Sequence, residues 1–281
     1  MSRIELHCPS CGYDVPPTLM PPPKMFSCPE CLEVMPREKL TRLKVLHRNI
    51  AGANISAPFD VRILGSTSFY DASALTSVMT VTNCVLKSGD LALVCVGAGG
   101  VAAASLSSNV TIGGAAMILV QDPTGAGGGS DPDTDVYYKR NNTPGSKTVS
   151  ITLDQPCSAG AALVLGVSGT KGPTIAIDQS TGIGGTGPTF DSGATGNLNP
   201  NGDFLLGVVA VAAASTSGAS SFPSMWTFIQ RVGTSQSAGS PPDVFLDVAW
   251  SIASGTSPVS FTGTVASSQA LSCGIAAFLR A

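Results

Sequence analysis

Five strand-sized blocks occur twice along this chain, in the same order and about 110 residues apart. Gly89-Asp90-Leu-Ala-Leu-Val-Cys-Val matches Gly202-Asp203-Phe-Leu-Leu-Gly-Val-Val, and Met117-Ile-Leu-Val-Gln-Asp matches Trp226-Thr-Phe-Ile-Gln-Arg. Asp135-Val-Tyr-Tyr matches Asp243-Val-Phe-Leu, Thr148-Val-Ser-Ile-Thr-Leu matches Pro258-Val-Ser-Phe-Thr-Gly, and Ala162-Leu-Val-Leu-Gly-Val matches Gly274-Ile-Ala-Ala-Phe-Leu. From about Ala57 onward, turn signals fall every 8 to 12 residues and no helical stripe of any length appears. The expected fold class is therefore all-β, with a duplicated antiparallel β-sandwich or jelly-roll body in modules 57–171 and 172–281. The two modules either pack against each other or close separately. One face of each strand is expected to be buried, built from small and β-branched residues with little aromatic filling.

The body is also chemically plain. Both histidines, His7 and His47, and all four glutamates, Glu5, Glu30, Glu33 and Glu38, precede residue 48. Proton transfer near neutral pH is most often done by His, and paired catalytic carboxylates usually include Glu, so no enzyme of the hydrolytic templates is expected. Only 12% of the 281 residues are charged and the net charge is -3, which leaves no global attraction to nucleic acid or an anionic membrane. The longest near-continuous apolar run, Phe204 to Ala214, is 11 residues, short of the roughly 18 needed to span a bilayer. The polar start, Met1 to Glu5, has no apolar core of a secretory signal, and folding in a cytosol is the expectation.

The eight cysteines fall into two groups. Cys8-Pro-Ser-Cys11 and Cys28-Pro-Glu-Cys31 are two CxxC pairs separated by sixteen residues. Each CxxC makes a tight knuckle that aims two thiolates at one point, and two knuckles complete a closed tetrahedral S4 site for a structural zinc ion. Gly12 suits the positive φ such a knuckle often needs. Disulfides are disfavoured in a reducing cytosol, and redox CxxC motifs sit beside a βαβ pattern that is missing here. Iron in a rubredoxin-type S4 site is the competing metal. Residues 4 to 36 resemble the zinc-ribbon family, which places a zinc ribbon at 1–36. Cys84, Cys95, Cys157 and Cys273 are isolated in apolar text and read as buried free thiols.

A basic linker, 37–56, follows. Arg37, Lys39, Arg42, Lys44 and Arg48 stand against Glu38 alone. The first 48 residues carry +2 and the remainder -5. Leu40, Leu43 and Leu46 fit one face of a short helix, while Leu43 and Val45 alternating with Arg42 and Lys44 fit a strand, and periodicity does not decide between them. The stretch reads first as a solvated linker, next as an arm for an acidic protein surface through those five cations, and last as a phosphate-contacting segment.

Several motifs invite chemistry and lose it on inspection. Asp131-Pro-Asp133-Thr-Asp135 starts like a calcium loop, but the twelfth position is Asn142 in place of a bidentate Glu. Gly182-Ile-Gly-Gly-Thr-Gly187 matches the dinucleotide fingerprint, yet Pro188 follows at once and no helix can be drawn, so a flexible loop is expected. Trp226 and Trp250 lie in matched strands and read as core before sugar platform.

Low charge, Ser/Thr/Gly richness and an all-β body are features of proteins that live outside cells, whereas unpaired cysteines and a thiolate metal site belong to a reducing compartment. A virus structural protein reconciles them, because it folds in host cytoplasm and leaves by lysis. The duplicated module, with Gly-Asp before an apolar strand and a closing Ala276 to Arg280, resembles repeats in virion proteins of tailed bacteriophages over residues 57 to 280. That resemblance implies a head decoration or cement protein attached through its zinc-ribbon and basic N-terminal region. Its implied partners are the major capsid protein or other virion subunits, with homo-oligomerisation and with neither membrane nor nucleic acid as a target. A glycan-binding tail or fibre component, and a cytosolic zinc-ribbon adaptor for nucleic acid or protein, are the alternatives.

Overall fold

In the computed structural model of the chain, the described residues are 5–7, 25–27, 34–36, 41–43, 59–70, 76–99, 108–121, 132–141, 143–170, 177–200, 202–213, 220–233 and 243–280. Every regular element among them is a strand, and every pairing is antiparallel. The chain divides into two compact units, Met1–Pro58 and Phe59–Ala281. In the first, β1 (Glu5–His7) pairs with β4 (Thr41–Leu43), placing Leu6 opposite Arg42. There β2 (Met25–Ser27) pairs with β3 (Val34–Pro36), with Ser27 opposite Val34. Part of the basic stretch is thus a strand, and its period-two alternation outweighs the helical spacing.

The second unit holds both copies of the repeat. The first copy contains β5 (Asp60–Tyr70), β6 (Thr76–Leu86), β7 (Leu91–Gly99), β8 (Ser108–Ile112), β9 (Ala115–Ala116), β10 (Ile118–Gln121), β11 (Asp133–Arg140), β12 (Gly145–Cys157) and β13 (Ala159–Ser168). The second contains β14 (Ile177–Ala194), β15 (Phe204–Ala213), β16 (Thr227–Gly233), β17 (Asp243–Ile252) and β18 (Ser260–Phe278). One five-stranded sheet runs β10-β11-β7-β13-β5 and the other runs β14-β18-β15-β17-β16, so read from opposite ends they follow one order. The sheet β6-β12-β8-β9 covers the outer face of the first. In the second copy the same layer is made by the far ends of β14 and β18, beyond a register shift between Gly187 and Thr189.

Ladder registers make the equivalence residue-specific. Ile118 faces Tyr138 and Thr227 faces Trp250, and both edge strands carry an irregularity one step further on, between Leu119 and Gln121 and between Phe228 and Gln230. Two matches need correction. Asp135 pairs with Val96, and Asp247, not Asp243, holds the corresponding place opposite Val209. Leu163 pairs with Cys95 as Gly274 pairs with Val208, one residue away from the block match that joined Ala162 to Gly274. A one-residue slip matters because it sends every side chain to the opposite face of the sheet.

Burial is deeper than expected on one face alone. Along β7, Ala92, Val94, Val96 and Ala98 point into the core beneath β6 and β12, while Leu91, Leu93 and Cys95 point into a second core shared with the other copy. Along β15, Phe204, Leu206, Val208 and Ala210 enter that shared core, and Leu205, Val209 and Val211 enter a third beneath the ends of β14 and β18. Strands buried on both sides lose the apolar-polar alternation and read as continuous hydrophobic runs, the text of Leu91–Val96 and Phe204–Val211. The aromatic filling sits mostly in the second copy, where Phe204, Phe261 and Phe278 are fully buried.

The two central sheets stack with β7 over β15, β10 over β14 and β5 over β16. Equivalent strands exchange places across the stack, the relation of an isologous dimer inside one chain. The local two-fold passes near Gly97 and its counterpart Ala210, where a Cβ on Gly97 would lie 3.1 Å from that of Ala210. The layers are also joined by hydrogen bonds from Thr134 Oγ1 to the Ser272 carbonyl, 3.0 Å, and from Ser180 Oγ to the Val120 carbonyl, 3.2 Å.

Gly182–Gly187 is part of β14, with Gly182 opposite Gly274 and Gly187 opposite Gln269, so the expected flexible loop is a paired strand. Ladder partners along β18 override the low strand propensity of glycine. Asp133 and Asp135 likewise stand in β11, buried and extended, where a calcium loop would need a sharp turn.

Candidate functional site

In the N-terminal unit, β1 stops at His7, directly before Cys8, and the segment 28–33 that joins paired strands β2 and β3 holds both Cys28 and Cys31. Cys8, Cys11, Cys28 and Cys31 themselves lie outside the described residues, as do Arg37, Lys39, Lys44 and Arg48. Arg42 is in β4, at the register position opposite Leu6. Among the described residues no group of three or more His, Cys, Asp or Glu is placed to hold a metal ion.

The four cysteines of the body are free and buried. Burial pushes the Cys84 thiol up to about 11, and Cys157 and Cys273 up to about 12 with help from nearby aspartates. Burial alone drives Cys95 upward as well. A thiol held this far above neutrality supplies no thiolate for nucleophilic or metal chemistry. Both tryptophans pack: Trp226 is edge-on to Phe261 at 4.7 Å, and Trp250 stacks on Phe204 at 5.9 Å.

Two surface features of the body were not apparent from the sequence. The first is an open groove of about 650 Å³ in the second copy, floored by Phe190 and Phe222 and rimmed by Thr189, Asp191, Thr262 and Thr264. Phe222 stacks on buried Phe261 at 5.4 Å and on Phe228 at 5.9 Å, both with interplanar angles of 19°. Phe228 and Met225 beside it are half exposed. On the rim, Asp191 Oδ1 accepts the Gly193 N–H at 2.8 Å, and the Ser221 and Thr264 hydroxyls share a 2.7 Å hydrogen bond. An aromatic strip flanked by hydroxyls and a carboxylate offers a stacking face and polar partners to a flat, hydroxylated molecule. The only sequence trace of it is two phenylalanines, Phe222 and Phe228, either side of a Pro-Ser-Met turn.

The second feature is a smaller pocket of about 200 Å³ in the first copy, lined by Lys139, Arg140, Lys147 and Asn141. Two of its cations have structural duties. Lys139 donates to the Ala116 carbonyl and Arg140 to the Gly89 carbonyl, each at 2.8 Å. Burial lowers the Arg140 pKa, and neighbouring Asp90 opposes that shift.

Two of the buried acids of the body, Asp90 and Asp247, are held by arginines. Asp90 accepts the Lys87 N–H at 2.6 Å and the Ser168 hydroxyl at 2.9 Å, and it pairs with the Arg62 guanidinium. Asp247 takes a two-pronged contact from Arg231, with Nε to Oδ1 at 2.7 Å and Nη2 to Oδ2 at 2.5 Å. These pairs tie β5 to the turn before β7, and β16 to β17. Among the described residues no helix is long and apolar enough to cross a membrane. No family model matches the chain, and no curated protein sequence matches it.

Proposed function

We propose that the chain is a non-enzymatic virion structural protein, a capsid decoration or cement protein whose N-terminal unit attaches a rigid twin body to the particle. The observation that carries this reading is the double burial of the central strands. Residues 59–281 are one fused unit in which the buried Asp90 and Asp247 are tied up in ion pairs, which suits a covering part more than a reaction vessel. The sheet orders of the first copy support a further step, that the module is a jelly roll. Successive strands β5, β6, β7 and β8 alternate between two sheets, and β12 and β13 do so again, the winding such a fold has.

In this reading Cys8, Cys11, Cys28 and Cys31 hold Zn2+. Four thiolates are the donor set of closed structural sites, and pairing of β2 with β3 supports a knuckle carrying Cys28 and Cys31. When bound, the ion supplies a cross-link between the two CxxC pairs and no reaction. The anchor is then preformed, which reduces the ordering entropy lost on docking. Arg37, Lys39, Arg42, Lys44 and Arg48 supply the charge that meets an acidic patch on the major capsid protein or another virion subunit, with homo-oligomers forming on the particle. Folding takes place in host cytoplasm.

Sedimentation with purified capsids tests this. The full chain is expected to saturate its sites, and residues 59–281 alone are expected to stay in the supernatant. Full occupancy by residues 59–281 would overturn it. A second reading, a tail or fibre component that binds a host glycan, is favoured by the groove lined by Phe190 and Phe222, and glycan-array binding abolished by Phe222→Ala would put that reading first.

A further inference from the structure

The two copies differ in chemistry at one equivalent place. Each has a Gly-Asp turn ahead of its central strand, with Gly89 at φ 82° and Gly202 at φ 81°. Each Asp is buried, and its carbonyl accepts an amide from the neighbouring strand's end: Asn141 donates to Asp90 at 2.7 Å, and Ala253 donates to Asp203 at 2.9 Å. Each carboxylate also caps its turn, through the Lys87 N–H in the first copy and the Asn199 N–H at 3.0 Å in the second. In the first copy the buried carboxylate is neutralised by Arg62 of β5.

The ladders show what lies near that arginine's place in the second copy. Val61 pairs with Val167, which pairs with Leu91, the residue after Asp90. Ile177 pairs with Phe278, which pairs with Phe204, the residue after Asp203. Arg62 pairs next with Gly166, and Gln179 takes the equivalent place opposite Ala277, so Asp178 is the extra residue of a register shift between Ile177 and Gln179, at the same end of the equivalent strand as Arg62. Beside its buried aspartate the first copy has a cation, and the second has a further carboxyl. The Asn199 N–H donates at 3.0 Å to Asp178 Oδ2 as well as to Asp203 Oδ2, so the two carboxyls converge on one donor. Two carboxylates this close cannot both ionise without strong repulsion, so a shared proton is the usual resolution. A bound cation is the other resolution, but here the convergent group is an amide N–H, whose positive end opposes a metal.

We propose that Asp178 and Asp203 form a proton-operated latch, in which one shared proton ties the start of β14 to the turn before β15, and its loss loosens that end of the body. The charged groups facing the pair among the described residues are each other and Arg280, which follows β18 and turns its backbone amide toward Asp203. From the end of β17, the Ala253 amide donates to the Asp203 carbonyl. Burial pushes the Asp203 carboxyl up to about 6, the hydrogen bond and charge of Asp178 push the same way, and the Asn199 and Arg280 amides pull against them. A carboxyl whose folded pKa is raised stabilises the fold at low pH, and that contribution is lost as pH rises through about 6.

The test is thermal unfolding of the full chain between pH 5 and 8. The native chain is expected to lose on the order of 5 °C in Tm across that range. Asp178→Asn is expected to flatten the profile, and Asp178→Arg, which puts a cation in place of the second carboxyl, to hold Tm high at pH 8. A native profile that is flat or rises, or an Asp178→Asn profile that falls as steeply as the native one, would overturn the latch. So would a Ca2+-induced rise in Tm at pH 8 that Asp178→Asn abolishes, since a metal would then hold the pair. Should the variants fail to fold, carbon-13 NMR titration of native Asp203 decides: a midpoint near 6 supports the latch, and one near the ordinary aspartate value of about 4 refutes it.

Discussion

Phe204→Ala is expected to cost the body about 3–5 kcal/mol of unfolding free energy, as for other large aromatic truncations in a closed core. Phe204 is fully buried where the two copies meet. Its ring lies 5.3 Å from Phe59 of the first copy, and 5.9 Å and 6.2 Å from Trp250 and Phe278 of the second. Removing it leaves a cavity bordered by both halves, so the loss should fall on both. Urea denaturation checks this with one probe per half. Tryptophan fluorescence reports the second copy, and pulsed alkylation of Cys84 and Cys157 reports the first. Coincident transitions, shifted together in the variant, are the expected result. A variant that melts only the second copy would mean that the shared core does not couple them.

Arg231→Ala should be nearly as damaging, at about 3 kcal/mol, for an electrostatic reason. The Asp247 side chain is 1% exposed, and the two-pronged Arg231 contact is its charge partner. Deleting the guanidinium leaves a buried carboxylate that must ionise alone or take up a proton, and removing one partner of a buried pair costs far more than the pair contributes in net terms. The figure sits at the low end of the usual range because the arginine side chain is 25% exposed, which lets water and salt share the load. Chemical denaturation at pH 7 reads the loss. Replacing both residues with apolar ones of similar volume, Arg231→Met with Asp247→Leu, should recover most of it. A single-variant loss below about 1 kcal/mol would contradict this account.

Periodicity and repetition made the strand content and the doubling readable, because each block carries its own turn signals and apolar run. Registers were harder. The Asp135 block matches Asp243 in sequence because both begin an Asp-Val pair, yet the ladder selects Asp247, whose own Asp-Val pair lies four residues on. Only hydrogen-bond partners discriminate between two such matches on one strand. Gly182–Gly187 misled for a related reason: glycine text reads as loop until a long partner such as β18 is present to pair with it. The Phe222 groove and the Asp178–Asp203 pair were illegible because each joins residues distant in sequence that only the fold brings together. Asp178 sits in a register shift one residue before Gln179, the ladder counterpart of Arg62, and that placement depends on pairing with β18.

The anchor is where the functional account stands or falls, and metal content is its most direct measure. Native mass spectrometry of the full chain, purified without added metal, is predicted to show one zinc ion per chain. Cys8→Ser and Cys28→Ser should each weaken or abolish its retention, while residues 59–281 carry none. A folded, metal-free chain that still binds capsids at full occupancy would contradict the account.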